Sequence, residues 1–305
     1  MDLIFLGTGG SVPTPLRNAS ATALRRGGEV VLFDCGEGTQ RQLMMSSASF
    51  MKIKHIFITH LHGDHFLGLP GLIQSMNFSG REDGLCVHGP EGMIDTLGRA
   101  LSLGFFAMNF EVLAQDLGDG DEVQCDGYSV QAVSALHTVP ALSYVLTEHL
   151  RPGRFMPEKA KALGVQEGPG FAALQRGEVL MVDGREVRPE EVMGPPRPGM
   201  TVAFSGDTGL NPRFASAAQD CDAMVHEATV LSDLVEKAME YGHSSAAMAA
   251  ECAAQAKARL LFLNHISGRY ADAAPLREEA EVIFRPVHVP NDLDEYSLSP
   301  QPSSE

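Results

Sequence analysis

The sequence predicts an α/β protein made of two halves that pack sheet to sheet, with helices on the outside. Short apolar strand-like runs alternate with helical runs on both sides of an irregular insertion at 151–199. Metal-binding side chains follow several of these strands, at sheet edges where strand ends converge. A hydrophobic content of 44% over 305 residues is sufficient for a full core.

Before the insertion, strands are predicted where short apolar runs end in turn-forming residues. Helices are predicted where apolar residues recur with helical spacing, and Thr39 is the predicted N-cap of the first helix. The predicted strands span residues 3–6, 21–24, 29–34, 53–58, 85–88, 110–113, 128–134 and 141–147. One predicted helix starts at about residue 39, and a second covers residues 93–103.

The alternation resumes after the insertion. The predicted strands are 201–204, 223–226, 259–263 and 287–289, and the predicted helices are 211–219, 231–239, about 245–257 and 275–281. These elements predict one domain over residues 1–298, with 299–305 as a flexible polar tail.

The insertion at 151–199, called the arm below, has a different composition. Gly-Pro clusters interrupt it repeatedly, and it contains eight of the 23 Lys and Arg residues beside seven acids. Its net charge is therefore near +1, whereas the whole chain carries −16. Long insertions in compact folds are typically functional lids or arms, and a solvated linker is the alternative.

Charge and cysteine usage limit the class of protein. A net charge of −16 argues against a basic nucleic-acid coat protein but allows a local basic patch. The five cysteines are scattered and form no CxxC pair, which predicts reduced, mostly buried thiols. The N-terminus does not resemble a signal peptide, and no apolar run reaches the roughly 18 residues of a membrane span. We therefore expect a cytoplasmic protein without membrane association.

The densest chemical motif is Thr-His-Leu-His-Gly-Asp-His at residues 59–65, directly after the predicted strand 53–58. Neutral imidazole and carboxylate are standard zinc ligands. A polar loop whose histidines cap a helix is the alternative, but so dense a cluster beside a strand end disfavours it. The motif therefore predicts a metal site.

Three more candidate ligands follow strands elsewhere in the chain: His137, Asp207 and His265. Seven ligands exceed the four of one tetrahedral zinc and suit two ions that share a bridging carboxylate. The predicted first set is His60, His62 and His137, the second set is Asp64, His65 and His265, and Asp207 is the bridge. Four histidines lack this context and are predicted to be structural: His55, His88, His149 and His288.

The HxHxDH motif with His137, Asp207 and His265 in this order resembles the metallo-β-lactamase superfamily. Over nearly its whole length, the chain more narrowly resembles the ribonuclease Z family of tRNA 3′-processing endonucleases. The motifs that carry this resemblance are FLGTG at 5–9, FDCGE at 33–37, GLPGL at 68–72, FSGDT at 204–208, HEAT at 226–229 and HSS at 243–245. The resemblance implies a four-layer αβ/βα sandwich with two Zn²⁺ per subunit, and Mn²⁺ and Fe²⁺ share such ligands.

The resemblance also implies an activity and its catalytic residues. The enzyme would remove the 3′ trailer from precursor tRNA, leaving a 3′-hydroxyl on the tRNA and a 5′-phosphate on the trailer. Asp64 would act as general base, and His243, positioned by Glu227, would protonate the departing oxygen. The alternative is that His243 is only a helix-capping residue beside Ser244 and Glu227 only an ion-pair partner.

The arm resembles the family's exosite, which holds the tRNA elbow through phosphate contacts. The candidate contacts are Arg151, Arg154, Lys159 and Lys161, together with the Gly-Pro element at Gly168 and Pro169. In the family this arm works across a dimer, so a homodimer is implied.

A second candidate substrate contact is the loop at 13–18. It matches the family's PxKxRN pattern at Pro13, Arg17 and Asn18, with Pro15 in place of the lysine. In the family this loop is tied to reading the tRNA 3′ end, so Arg17 and Asn18 are predicted to bind substrate.

Two alternative functions remain open. A different dinuclear metallo-hydrolase of the same fold, acting on small phosphodiesters, sulfate esters or lactones, would use the same ligands but leaves the arm unexplained. A non-enzymatic RNA-binding protein on this fold would bind tRNA without turnover, which an intact ligand set argues against.

Overall fold

The structure is a computed structural model that describes residues 1–300, so most of the predicted tail at 299–305 lies outside the described residues. The strands are β1 Asp2–Gly7, β2 Gly9–Gly10, β3 Ala21–Arg26, β4 Glu29–Phe33, β5 Ile53–Phe57, β6 Leu85–Gly89, β7 Val112–Asp116, β8 Glu122–Cys125, β9 Tyr128–Ser134, β10 Leu142–Glu148, β11 Leu180–Val182, β12 Arg185–Val187, β13 Thr201–Phe204, β14 Ala223–Glu227, β15 Leu261–Asn264, β16 Ile266–Ser267, β17 Val287–His288 and β18 Glu295–Ser297. The helices are α1 Thr39–Met45, α2 Gly63–Phe66, α3 Leu69–Phe78, α4 Met93–Leu101, α5 Pro157–Ala162, α6 Pro169–Gln175, α7 Pro189–Val192, α8 Pro212–Ala217, α9 Val235–Glu240, α10 Ala246–Gln255 and α11 Ala274–Glu281.

The strands form two seven-stranded mixed sheets, ordered β18-β1-β3-β4-β5-β6-β7 and β17-β15-β14-β13-β10-β9-β8. Aromatic side chains join their facing surfaces. Phe33 of the first sheet stacks on Phe204 of the second, with 3.7 Å between ring centroids. Phe5 of the first sheet contacts Phe262 of the second in a tilted arrangement, with 5.4 Å between ring centroids. The two sheets therefore share an apolar interior of the kind that drives sheet-on-sheet packing.

Helices cover the outer face of each sheet and complete the predicted four-layer sandwich. One buried cluster joins α1, α3 and α4 to the first sheet, and another joins α8, α10 and α11 to the second. Helix α10 is alanine-rich, and its small buried side chains allow close packing on the sheet. The predicted fold class is confirmed.

The one predicted helix cap differs from the structure, and two other helices have side-chain caps. Thr39 is the first helical residue rather than the N-cap, because Gly38 at φ 86° occupies the cap position. The Thr39 hydroxyl donates to the Gly36 carbonyl instead. Asn211 and Ser245 are true N-caps whose side chains accept from backbone N–H groups of α8 and α10.

The sequence prediction missed some elements and merged others. Helix α3 follows the HxHxDH loop, where Pro70 and Gly71 obscured the helical pattern. The predicted helix at 231–239 is a 3₁₀ turn at Ser232–Leu234 followed by α9. Short strands such as β8 and β18 have too few residues to show an apolar periodicity of their own.

The described residues divide into two compact units, one made of Met1–Thr147 with residues 201–300, and the other of Glu148–Met200. The second unit contains the arm. It has three short helices, the β11–β12 hairpin and its own apolar core. The buried residues of that core are Ala160, Val165, Leu174, Val187 and Val192. The arm is therefore a folded element and not an extended linker.

Candidate metal centre

The first predicted ligand set meets at the end of β5. His60 and His62 lie in the loop that leads from β5 into α2, and His137 follows β9. His62 Nδ1 lies 3.0 Å from His60 Nε2 and 3.2 Å from His137 Nε2. One nitrogen from each ring therefore points to the same place.

The second predicted set meets beside the first. Asp64 and His65 lie in α2, and His265 follows β15. His65 Nε2 lies 3.3 Å from His265 Nε2. Asp64 Oδ2 is 3.5 Å from His65 Nε2 and 3.4 Å from His265 Nε2, and it accepts a 2.8 Å hydrogen bond from the Ser11 amide.

Asp207 lies between the two sets, where a bridging carboxylate is expected. Its Oδ2 is 3.3 Å from His265 Nε2, 3.4 Å from His65 Nε2 and 3.8 Å from His60 Nε2. Asp207 follows β13 through Gly206, which has φ 59°. A Cβ at Gly206 would approach Thr59 to 2.7 Å, so the tight turn that presents Asp207 depends on glycine.

The donor atoms fit divalent cations better than a purely hydrogen-bonded arrangement. Asp207 Oδ1 is buried without a hydrogen-bond partner among the described residues, a costly state for a carboxylate oxygen. Burial alone would raise the pKa of Asp207, but the charges of His265 and His65 hold it well below its usual range. The site therefore stabilises anionic carboxylates beside several imidazole nitrogens, the donor set that binds zinc-like ions.

A second layer of residues orients the candidate ligands, and sequence reasoning missed its members. Asp34 Oδ2 lies 2.8 Å from His65 Nδ1, and Asp34 Oδ1 accepts from the Thr59 amide at 2.7 Å. The Gly242 carbonyl lies 2.9 Å from His137 Nδ1. Such contacts fix the ring orientation and raise the basicity of metal-binding histidines. Asp34 was visible as the polar end of β4, but its partner is a tertiary contact.

His243 and Glu227 lie together beside the ligands. His243 Nδ1 is 3.1 Å from Glu227 Oε1 and 3.7 Å from Asp207 Oδ2. Burial lowers the pKa of His243, but the hydrogen bond and charge of Glu227 and the charge of Asp207 outweigh it and raise the pKa to about 9. The other Glu227 oxygen accepts from the Thr229 hydroxyl at 2.6 Å. Glu227 therefore orients the His243 ring and favours its protonated form.

His62, His137 and His243 open onto one cavity of about 330 Å³. Lys237 and Arg269 line the same cavity and are exposed. Tyr241, 58% exposed, provides an aromatic face there. The cavity therefore places two cations and an aromatic ring beside the candidate metal ligands, a combination that suits a phosphodiester and a nucleobase.

In the loop at 13–18, the two predicted substrate contacts make hydrogen bonds within the protein. Arg17 is 9% exposed, and its guanidinium donates to Thr8 Oγ1 at 2.6 Å and to the Pro290 carbonyl at 2.8 Å. The Asn18 amide group donates to the Glu37 carbonyl at 2.9 Å. Both side chains join the loop to other segments of the chain, so a contact between the Arg17 guanidinium and substrate would first have to break its hydrogen bonds.

The candidate contacts of the arm fall into two groups. Arg151 pairs with Glu148, and Lys161 pairs with Glu167. Arg154 and Lys159 are exposed and form no ion pair among the described residues. At the Gly-Pro element, Gly168 adopts φ 85° as the N-cap of α6, and Pro169 is the first residue of that helix. Arg154 and Lys159 are thus the arm cations most available to a phosphate.

The two mixed sheets, the outer helices and the HxHxDH site define a protein of the metallo-β-lactamase fold. The same fold occurs in the metallo-β-lactamase fold protein YhfI from Bacillus subtilis, with a TM-score of 0.70 at 16% identity over 97% of this chain and 99% of that one. Residues 1–147 also match the family model for anti-Pycsar protein Apyc1.

Full-length similarity identifies the family. The chain is 45% identical to ribonuclease Z of Methanosarcina acetivorans over 98% of this chain and 99% of that protein, and 43% identical to ribonuclease Z of Myxococcus xanthus over 94% of each. The crystal structure of the short form of human tRNase Z superposes with a TM-score of 0.71 at 27% identity, covering 98% and 100% of the two chains. The chain belongs to the ribonuclease Z family.

In the described part of the chain, no helix is both long enough and apolar enough to cross a membrane.

Proposed function

We propose that this protein is an endoribonuclease that removes the 3′ trailer from precursor tRNA. The products are a tRNA with a 3′-hydroxyl and a trailer with a 5′-phosphate. The proposal is carried by the hydrogen-bonded His243–Glu227 pair beside the candidate ligands, together with the cavity that His243 shares with Lys237 and Arg269. Full-length similarity to ribonuclease Z provides the substrate class.

We propose two Zn²⁺ per subunit, and Mn²⁺ or Fe²⁺ would use the same ligand types. The first ion would be held by His60, His62 and His137, the second by Asp64, His65 and His265, and Asp207 would join both. When bound, such ions lower the pKa of water and offset the negative charge of a phosphate.

Each of the remaining side chains has a distinct role in the proposed reaction. Asp64, anchored by the Ser11 amide, orients the attacking water and accepts its proton. Lys237 and Arg269 contact phosphates that flank the scissile bond. His243 donates its proton to the 3′ oxygen as that oxygen leaves, and Glu227 keeps the imidazole charged and oriented until then.

Cleavage of a 3′-extended precursor tRNA, followed by chemical analysis of both new ends, tests the activity. We expect a 3′-hydroxyl on the tRNA and a 5′-phosphate on the trailer, because water attacks the phosphorus and the bond between phosphorus and the 3′ oxygen of the tRNA breaks. A 3′-phosphate or 2′,3′-cyclic phosphate on the tRNA would contradict this mechanism. Failure to cut any precursor, with hydrolysis of a small phosphodiester retained, would favour the small-molecule hydrolase.

Replacing His243 by alanine should lower the rate of precursor cleavage by roughly 10²–10⁴-fold, the usual contribution of a general acid. Metal content should remain near that of the parent protein, because the proposed ligands are intact. A substrate with sulfur in place of the 3′ leaving oxygen should restore much of the rate, since thiolate departs without a proton. Loss of bound metal would instead identify His243 as a ligand, a role that its position near Asp207 and His265 also allows.

We further propose that the protein works as a C2 homodimer in the cytoplasm, with the arm of one subunit binding the tRNA that the other subunit cuts. The exposed Arg154 and Lys159 support the tRNA-binding part of this proposal. The scattered thiols, none of them in a disulfide, agree with a reducing compartment.

A further inference from the structure

Three metal-binding side chains meet outside the candidate centre, on the inner face of the first sheet. His55 lies on β5, and Cys86 and His88 lie on β6. His55 and Cys86 are paired residues of adjacent parallel strands, and His88 is two residues further along, so all three project from the same face. His88 stacks on Phe57 at 4.6 Å, and Phe57 in turn lies 5.2 Å from Tyr144 of the second sheet.

The donor atoms of this cluster converge. His55 Nδ1 lies 3.1 Å from His88 Nε2, and these nitrogens and the Cys86 sulfur are all within 4.8 Å of one another. His88 Nδ1 lies 3.2 Å from Gln115 Oε1. Because an amide oxygen only accepts, Nδ1 carries the proton and the Nε2 lone pair faces the cluster. A histidine whose second nitrogen donates to an oxygen is the usual form of a metal ligand.

The surroundings keep these rings neutral, which is the form that binds metals. His88 is 4% exposed, and burial together with the neighbouring His55 lowers its pKa to about 4. Burial likewise lowers the pKa of His55. His55 and Cys86 are each partly exposed, so an ion can reach the cluster from solution.

We propose that His55, Cys86 and His88 form a further metal site, selective for Zn²⁺ or a similarly thiophilic divalent ion. Two imidazole nitrogens and one thiolate provide three of the four ligands of a tetrahedral zinc, and a water completes it. Binding releases the thiol proton to solvent. The ion would tie β5 to β6 just before the loop that carries His60 and His62. The non-metal alternative is a plain His55–His88 hydrogen bond with an uninvolved thiol.

Cobalt substitution separates this site from the candidate centre, because the seven candidate ligands there include no sulfur. Metal-stripped full-length protein is titrated with Co²⁺ and followed by absorption. We expect a near-ultraviolet thiolate-to-Co²⁺ charge-transfer band, and zinc-loaded protein should contain about three ions per chain instead of about two. Absence of the band at saturating Co²⁺ would overturn the proposal.

Cys86→Ser should abolish the charge-transfer band and lower the metal content by about one ion per chain. Its visible Co²⁺ bands and its cleavage of a small phosphodiester should persist, which shows that the variant is folded. Cys125→Ser is the matched control, since Cys125 is also a partly exposed strand thiol, and it should retain the band. A band that survives in Cys86→Ser, or disappears in Cys125→Ser, would contradict the three-residue assignment.

Discussion

Replacing Asp64 by asparagine should reduce cleavage of precursor tRNA by about a thousandfold or more, because one substitution removes both a general base and a metal-binding oxygen. Asp64 Oδ2 lies 3.4 Å from His265 Nε2 and accepts from the Ser11 amide. Burial would raise the pKa of Asp64, but the hydrogen bonds to His265 and His65 lower it far below its usual value. The carboxylate therefore stays anionic throughout the working pH range, and asparagine has the same shape without the charge.

The measurement is single-turnover cleavage with excess enzyme, so that tRNA affinity does not limit the rate. Metal content is determined on the same preparations. A matched control is Asp233→Asn, which removes a carboxylate at the start of an exposed 3₁₀ turn and should leave the rate unchanged. If Asp64→Asn retained more than about a tenth of the parent rate, Asp64 would not be the general base.

Removing the arm should lower kcat/KM for precursor tRNA by roughly a hundredfold or more while leaving hydrolysis of a small chromogenic phosphodiester unchanged. The two chain segments at the base of the arm are paired, so the arm can be deleted between them. Arg151 and Arg197 exchange two backbone hydrogen bonds, of 2.8 and 2.9 Å, as an antiparallel pair. Replacing residues 152–196 by Asn-Gly would close this pair with a two-residue hairpin turn. Unchanged precursor cleavage would contradict a tRNA-binding role for the arm.

Charge variants of the intact arm separate phosphate binding from folding. Arg154→Ala combined with Lys159→Ala should weaken tRNA binding and reduce its salt dependence, because both cations are exposed and form no ion pair among the described residues. Arg176→Ala with Arg185→Ala removes the same charge as a control. These two cations are already paired with Glu178 and Glu191, so their loss should have the smaller effect.

Mixing two inactive variants tests the proposed action across a dimer. Arm-deleted subunits retain the metal ligands, and Asp64→Asn subunits retain the arm. If one subunit holds the tRNA that the other cuts, mixed dimers should recover part of the parent activity toward precursor tRNA. Light scattering on the same samples reports the oligomeric state. No recovery in samples shown to contain mixed dimers would mean that each arm serves its own subunit.

The candidate centre shows how far local sequence carries a prediction. The HxHxDH loop brings four ligands together within six residues, so its chemistry was visible without a fold. His137, Asp207 and His265 could be added because each follows a strand, and strand ends converge. Their convergence within a few ångströms, however, depends on the register of both sheets, which no local pattern specifies.

In the loop at 13–18, the local sequence does not indicate the contacts that the side chains make. Arg17 matched a substrate-binding motif, yet its guanidinium is buried against Thr8 and the Pro290 carbonyl. These partners include one 273 residues away in the chain, so its role as an internal support was invisible in the sequence. Likewise, the sequence did not predict helix α3, whose Pro70 lies in the first turn, where proline is tolerated, and whose apolar residues are buried on the first sheet.

By itself the sequence determined the alternation of strands and helices, the ligand types of the metal loop and the exceptional composition of the arm, because these depend on residues close together in the chain. Only the tertiary structure decided which polar side chains share a site. The sequence predicts His55 and His88 to be structural residues and Cys86 to be a reduced thiol, and strand pairing between β5 and β6 makes the three residues neighbours. A tertiary contact likewise places the Asp34 carboxylate beside the His65 ring, which it orients. Contacts between distant segments form when the apolar faces of both sheets are buried against each other. Local sequence patterns do not specify which distant residues these contacts bring together.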